Sequence, residues 1–192
     1  MESKKENKLL IVSAPSGAGK STLVNHLLES DLPLSFSVSA TSRSPRGSEK
    51  NGREYYFISA DDFRRRIDAG EFVEWQEVYK DHFYGTLKSE IERIHKTGRV
   101  VLFDVDVKGG INLKRIFGIN ALSVFIMPPS VEDLRTRLIS RGTDSPAEID
   151  MRVEKASSEL GLAEKFDTII INDDLQKARK EIENVVREFL KS

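Results

Sequence analysis

This chain of 192 residues contains no cysteine, a single tryptophan and only three histidines. The absence of cysteine excludes disulfides and thiolate metal centres and agrees with a reducing compartment. No apolar run approaches the ~18 residues needed to span a bilayer. The opening Met1-Glu2-Ser3-Lys4-Lys5-Glu6-Asn7 is too polar for a signal peptide. Charge of one sign is also missing: 30 Lys and Arg face 31 Asp and Glu, so no overall field draws the chain to nucleic acid or an anionic membrane. Together these absences predict a cytoplasmic protein that binds neither, whose phosphate contacts must come from local clusters. His26, His82 and His95 are scattered through a helical pattern, a turn-like stretch and a helix end. They read as solvated or packing residues, and no catalytic or metal-ligating histidine is assigned.

The length suits one core with small inserted lobes rather than two full domains. Short apolar, β-branched runs at 9–13, 100–104, 121–127 and 168–172 fit strands buried on both faces of a parallel sheet. Helical patterns cover 20–30, 88–97, 130–141, 146–165 and 175–190. The alternation predicts an α/β fold. Ser130 and Ser145 read as helix N-caps, the latter with Pro146 at the first helical position and Glu148 completing a capping box. In the last helix Leu175, Ala178, Ile182, Val185, Val186 and Phe189 recur at spacings of three and four and form a packing stripe. Residues 35–86 break the rhythm with alternating Phe36, Val38 and Ala40, an Asn51-Gly52 turn and the run Tyr55-Tyr56-Phe57-Ile58, so they read as an inserted β-rich lobe. The polar interval 141–152, with Gly142 and Pro146, reads as a movable flap.

The most informative segment is Ser13-Ala14-Pro15-Ser16-Gly17-Ala18-Gly19-Lys20-Ser21-Thr22, placed directly after the apolar Leu9-Leu10-Ile11-Val12. A glycine-rich loop between a strand and a helix turns consecutive N–H groups inward around polyphosphate. Lys20 adds a cation for the terminal phosphates, Ser21 offers a hydroxyl to Mg²⁺, and the helix start near Gly19 presents its positive end. The first glycine of the usual pattern is Ala14 here, which serves if its φ is negative.

Beyond that loop, Ser39-Ala40-Thr41-Ser42-Arg43-Ser44-Pro45-Arg46 and Glu49-Lys50-Asn51-Gly52-Arg53-Glu54-Tyr55-Tyr56-Phe57 closely resemble the nucleoside-monophosphate lobe of guanylate kinases. The resemblance continues through Glu71-Phe72-Val73-Glu74-Trp75, Tyr84-Gly85-Thr86, Asp104-Val105-Asp106-Val107-Lys108-Gly109, Pro128-Pro129-Ser130, Arg141-Gly142-Thr143 and Ile171-Asn172-Asp173-Asp174, in family order over almost the whole chain. It implies a P-loop three-layer α/β fold: a core of 1–34, 87–140 and 153–192, a GMP-binding lobe at 35–86 and a small helical lid at 141–152. It also implies transfer of the γ-phosphoryl group of ATP to GMP, and to dGMP, with Mg²⁺ accompanying ATP.

Carried over residue by residue, the resemblance assigns GMP to Ser39, Arg43, Arg46, Tyr55, Glu74, Tyr84, Thr86, Asp104 and Asp106. ATP falls to the loop residues 14–22 with Asn172 and Asp173, the transferring group to Lys20, Arg43, Arg141 and Arg152, and the metal to Ser21 and Asp104. The chemistry suits these types. Arginine's planar fork matches phosphate oxygens in pairs. A Glu74 carboxylate accepts the N1–H and 2-amino donors that guanine has and adenine lacks. Arg141 and Arg152 flank the flap and are expected to reach the site only on its closure. Asn172 and Asp173 are equally readable as turn and helix-cap residues. Two rivals stay open. A GTPase is suggested by the D-x-x-G pattern of Asp106-Val107-Lys108-Gly109, though no N-K-x-D motif accompanies it. A non-catalytic guanylate-kinase-like interaction module would keep the fold without a working loop.

Overall fold

The computed structural model describes residues 8–142 and 144–192; the polar opening 1–7 and Thr143 of the flap lie outside the described residues. In chain order the elements begin with β1 (Leu9–Ser13), α1 (Lys20–Glu29), β2 (Leu34–Phe36), β3 (Ala40–Thr41), β4 (Tyr56–Phe57) and α2 (Ala60–Asp68). Next come β5 (Phe72–Tyr79), β6 (His82–Leu87), α3 (Lys88–His95), β7 (Val100–Val105) and α4 (Val107–Phe117). The chain ends with β8 (Ala121–Met127), α5 (Val131–Arg141), α6 (Pro146–Leu160), β9 (Thr168–Ile171) and α7 (Leu175–Lys191), with 3₁₀ turns at Gly118–Asn120 and Ala163–Lys165.

Contacts divide the chain into two compact units, Met1–Leu34 with Leu102–Ser192, and Ser35–Val101. The larger sheet has the order β2-β7-β1-β8-β9, and β8 pairs in parallel with both β1 and β9. Every residue of β1 is buried, as are Ala121 to Ile126 of β8. Their continuous apolar runs follow from helices covering both faces of a parallel sheet. The stripe on α7 packs inward through Ala178, Ile182 and Val186. Ser130 and Ser145 cap α5 and α6 as their sequences predict, Ser145 in a complete capping box with Glu148.

Three features depart from the sequence reading. Helix α4 was hidden by Gly109 and Gly110, poor helix formers. Gly110 is there for space: a Cβ would collide with the Ser13 hydroxyl and reach the Phe166 ring at 3.0 Å. The run 146–165 is interrupted, α6 ending at Leu160 and a 3₁₀ turn following Gly161. Within the second unit, the expected β-rich character is carried by a sheet of order β4-β3-β6-β5, but α2 lies among the strands. Ser59 caps α2 by accepting from the Asp62 N–H at 3.1 Å, and Phe63, fully buried, stacks on Phe72 and Phe83 at 4.3 and 5.2 Å.

The antiparallel β5–β6 register sets Glu74 opposite Thr86 and Trp75 opposite Gly85. A Cβ on Gly85 would lie 2.7 Å from the Glu74 carbonyl oxygen and 2.8 Å from the Trp75 Cβ. Backbone atoms of a paired strand cannot step aside, so Gly85→Ala forces the hairpin apart. We expect a loss of about 1–3 kcal/mol, read as a melting temperature lowered by at least about 3 °C. An unchanged melting temperature would show that the hairpin tolerates the added carbon.

Candidate active site

The loop between β1 and α1 is shaped by two left-handed glycines, Gly17 at φ 94° and Gly19 at φ 96°. Ala14 is not among the residues with positive φ, so alanine fits there without strain. A side chain on Gly17 would meet Leu138 of α5 at 3.2 Å, and one on Gly19 would strike the Asn172 amide. That amide donates to the Ala18 carbonyl at 2.8 Å. Asn172 itself is buried and fixed by its N–H on Met127 and by the Arg137 guanidinium on its carbonyl, at 2.8 Å each. It is therefore a brace for the loop, and the capping of α7 falls to Asp174, which accepts from the Lys177 N–H at 2.8 Å. Asp173 is exposed and accepts from the Asp174 N–H.

Lys20 opens α1. Its Nζ donates to the Val105 carbonyl at 2.9 Å and pairs with the Asp104 carboxylate at the end of β7. Ser21 and Thr22 are exposed in the first helical turn. A cavity of about 500 Å³ adjoins the loop, lined by its residues from Ala14 to Thr22 except Ala18, and by Asp106, Arg141, Arg152, Lys155 and Glu159. The two arginines come from a helical hairpin in which Leu134 and Leu138 of α5 pack on Ile149 and Ala156 of α6. Gly142 turns the chain at φ 64°. Arg152 Nη1 already donates to the Ser16 hydroxyl at 3.0 Å while Nη2 pairs with Asp144 at 3.1 Å. The expectation that both arginines arrive only on closure is corrected for Arg152: α6 starts early enough to place it on the loop.

Asp106, assigned to GMP by the resemblance, lies one residue past β7 and caps α4, accepting from the Gly109 N–H at 2.7 Å. The D-x-x-G pattern is thereby accounted for as a helix cap. As a metal site, Ser21 and Asp104 offer one hydroxyl and one carboxylate, hard oxygen donors suited to Mg²⁺, which takes its remaining ligands from water and phosphate. No cluster of three or more His, Cys, Asp or Glu suited to a metal occurs among the described residues.

The second unit gathers most of the residues assigned to GMP. Glu49 receives Arg43 in a bidentate fork at 2.6 and 2.8 Å and the Arg46 N–H at 2.8 Å. Arg43 Nε donates to the Tyr84 hydroxyl at 3.1 Å, and its guanidinium lies 5.0 Å above the Tyr55 ring. Tyr55 meets Tyr84 edge-on at 5.9 Å. The Arg46 side chain is on an exposed residue. On β6, Tyr84 and Thr86 share one face by the two-residue repeat of a strand. Fully buried Thr86 donates to the Glu74 carboxylate at 2.9 Å. Ser39 accepts the Tyr56 N–H on its carbonyl at 2.9 Å and adjoins Ala40, whose register partner is Gly85.

Sequence reading left Glu49, Lys155 and Glu159 without a role, although the last two follow Arg152 at helical spacings of three and seven. Burial pushes the Glu159 carboxyl up, with the Lys155 ammonium 3.5 Å away opposing that shift.

Comparison with known proteins identifies the family. The model of the guanylate kinase family matches residues 6–189. A guanylate kinase of Bacteroides fragilis is 56% identical over 185 residues, 96% of this chain and 91% of that one. The Porphyromonas gingivalis guanylate kinase is 55% identical, covering 95% and 98%. The crystal structure of guanylate kinase from Anaplasma phagocytophilum superposes with a TM-score of 0.74 at 31% identity, over 96% of this chain and 87% of that one.

The Arg43 fork, followed by the Arg46 N–H, pulls the Glu49 carboxyl down to about 2. A depressed carboxylate contributes stability above its unfolded value near 4.3 and loses it as pH falls through the folded value. Between about pH 4.5 and 2, then, the parent should lose urea resistance more steeply than Glu49→Gln. Parallel acid limbs for the two proteins would rule out this ion pair as a contributor.

Proposed function

The chain belongs to the guanylate kinase family, and we infer from that membership that it transfers the γ-phosphoryl group of ATP to GMP, giving ADP and GDP. It is an enzyme, a nucleoside monophosphate kinase. What supports carrying the reading to particular residues is that each unit holds a cluster of groups suited to phosphate. One presents a glycine loop with Lys20, Arg141 and Arg152 around a cavity. The other presents Arg43 with Tyr55 and Tyr84, beside a Glu74 oriented by Thr86.

Phosphoryl transfer asks the protein for alignment and charge neutralisation rather than covalent chemistry. An oxygen of the GMP phosphate attacks the γ-phosphorus, the bond from that phosphorus to the bridging oxygen of ADP breaks, and ADP leaves with the electron pair. The second ionisation of a phosphate monoester lies near pH 6, so the nucleophile is already anionic and no general base is required. Two unit charges ~4 Å apart interact by about 4 kcal/mol at an effective dielectric near 20, so repulsion between the substrates is the chief obstacle. Loop N–H groups and Lys20 hold the ATP phosphates, and Arg141 and Arg152 spread the charge that shifts during transfer. Mg²⁺ carried by ATP would be held by Ser21 and Asp104 and would supply neutralisation of phosphate charge. Asn172 serves ATP through the loop that it braces, with Asp173 beside it.

GMP's phosphate is taken by Arg43, Arg46, Tyr55 and Tyr84, and its base by Glu74 with Ser39 and Thr86, while Asp104 and Asp106 complete the set. AMP would leave these acceptors unpaired, at about 1 to 3 kcal/mol for each buried group. We propose a cytoplasmic setting, where ATP and GMP are at hand; no helix among the described residues is long and apolar enough to cross a membrane. A retained loop lysine and full-length kinase relatives speak against the non-catalytic module.

A coupled assay of ADP formation tests both reaction and specificity. With GMP the parent should turn over, with AMP about 10³-fold or more less efficiently. Glu74→Gln should lower kcat/KM for GMP at least about 100-fold and narrow that ratio. No ADP from the parent would refute the reaction, and an unchanged ratio in the variant would refute the role of Glu74.

A further inference from the structure

Lys155 and Glu159 line the loop cavity but have no part in the transfer as described. On α6 they follow Arg152 at i+3 and i+7, which places all three on one face of the helix, and all three border the cavity. Glu159 is only 9% exposed. A carboxylate buried beside the place where a polyphosphate binds opposes that ligand and needs a reason to be there. Helix stability does not supply one. Lysine followed by glutamate at i+4 is the less favourable order for such a pair, and the Lys155 side chain is 68% exposed, where an ion pair contributes little.

Charge at the cavity supplies the reason. Its border carries four cations, Lys20, Arg141, Arg152 and Lys155, and two carboxylates, Asp106 and Glu159. We propose that Lys155 is a further phosphate-binding cation of this cleft and that Glu159 is the positioning residue that seats it. The proposal rests on the ATP site described above and deepens it. An ammonium has three N–H donors. One directed at Glu159, 3.5 Å away, leaves two for phosphate oxygens, so the lysine bridges carboxylate and ligand without leaving its seat. Glu159, its charge held by Lys155, then restrains a long flexible side chain that would otherwise sample solvent.

The test is direct binding of ATP, without GMP, to the parent, Lys155→Met and Lys155→Arg by calorimetric titration, with melting temperatures of the free proteins. Lys155→Met should bind ATP about fivefold more weakly at low salt, the gap closing as ionic strength rises. Its GMP affinity should equal the parent's, and Lys155→Arg should restore ATP binding together with any stability lost when Glu159 is left without its lysine. ATP affinity unchanged in Lys155→Met, or a lowered melting temperature with no binding effect, overturns the proposal. Turnover of ATP and GMP by the parent, measured alongside, reports separately on the family reaction: its absence would refute that reaction, whereas altered ATP binding would still establish the lysine.

Discussion

Cations placed to meet polyphosphate repel one another when no phosphate is present, and this chain answers the constraint by resting them on carboxylates. Lys20 lies on Asp104, Arg43 on Glu49, Arg152 on Asp144 and Lys155 on Glu159. Each pair holds its cation in position; those of Arg152 and Lys155, whose side chains are largely exposed, add little stability of their own. What they provide is preorganisation: the cation is ordered before the substrate arrives, so less freedom is lost on binding. Phosphate handling of this local kind needs no overall basic field, and the chain has none, with 30 basic against 31 acidic residues.

Around those charges the backbone is fixed by contacts that leave little latitude. Gly17 and Gly19 adopt conformations open to glycine; a Cβ on Gly19 would also strike Asn172, and one on Gly17 would press on Leu138 at 3.2 Å. Asn172 joins the end of β9 to the loop after β1, while Arg137 on α5 holds Asn172. The loop is thus clamped from two elements that come late in the chain. In the second unit the antiparallel hairpin does the equivalent work, its register placing Thr86 directly across from Glu74.

Strands β1, β7, β8 and β9 were legible in sequence as short, mainly apolar runs, while the three-residue β2 was too short to show; the loop was legible because its chemistry is confined to ten consecutive residues. The lobe's arginines and tyrosines were legible through family resemblance. What escaped notice depends on tertiary packing. Helix α4 carries a glycine, Gly110, demanded by Ser13 and Phe166, residues far away in the chain. Helix α2 was obscured by the strands on either side. Glu49 stood within a recognised motif, but its fork with Arg43 emerges only when the connecting loop folds back. Lys155 and Glu159 share the face of Arg152 at helical spacing, a pattern noticed for apolar stripes and overlooked for charged ones.

If carboxylate-seated cations are the means by which two anions are brought to reaction, the lysine of the glycine loop is where the account is most exposed. The decisive measurement is the rate of phosphoryl transfer from ATP to GMP by Lys20→Met, alongside its melting temperature. The account predicts a loss of at least about 100-fold with folding intact. A folded variant that transfers phosphate within about threefold of the parent would contradict it.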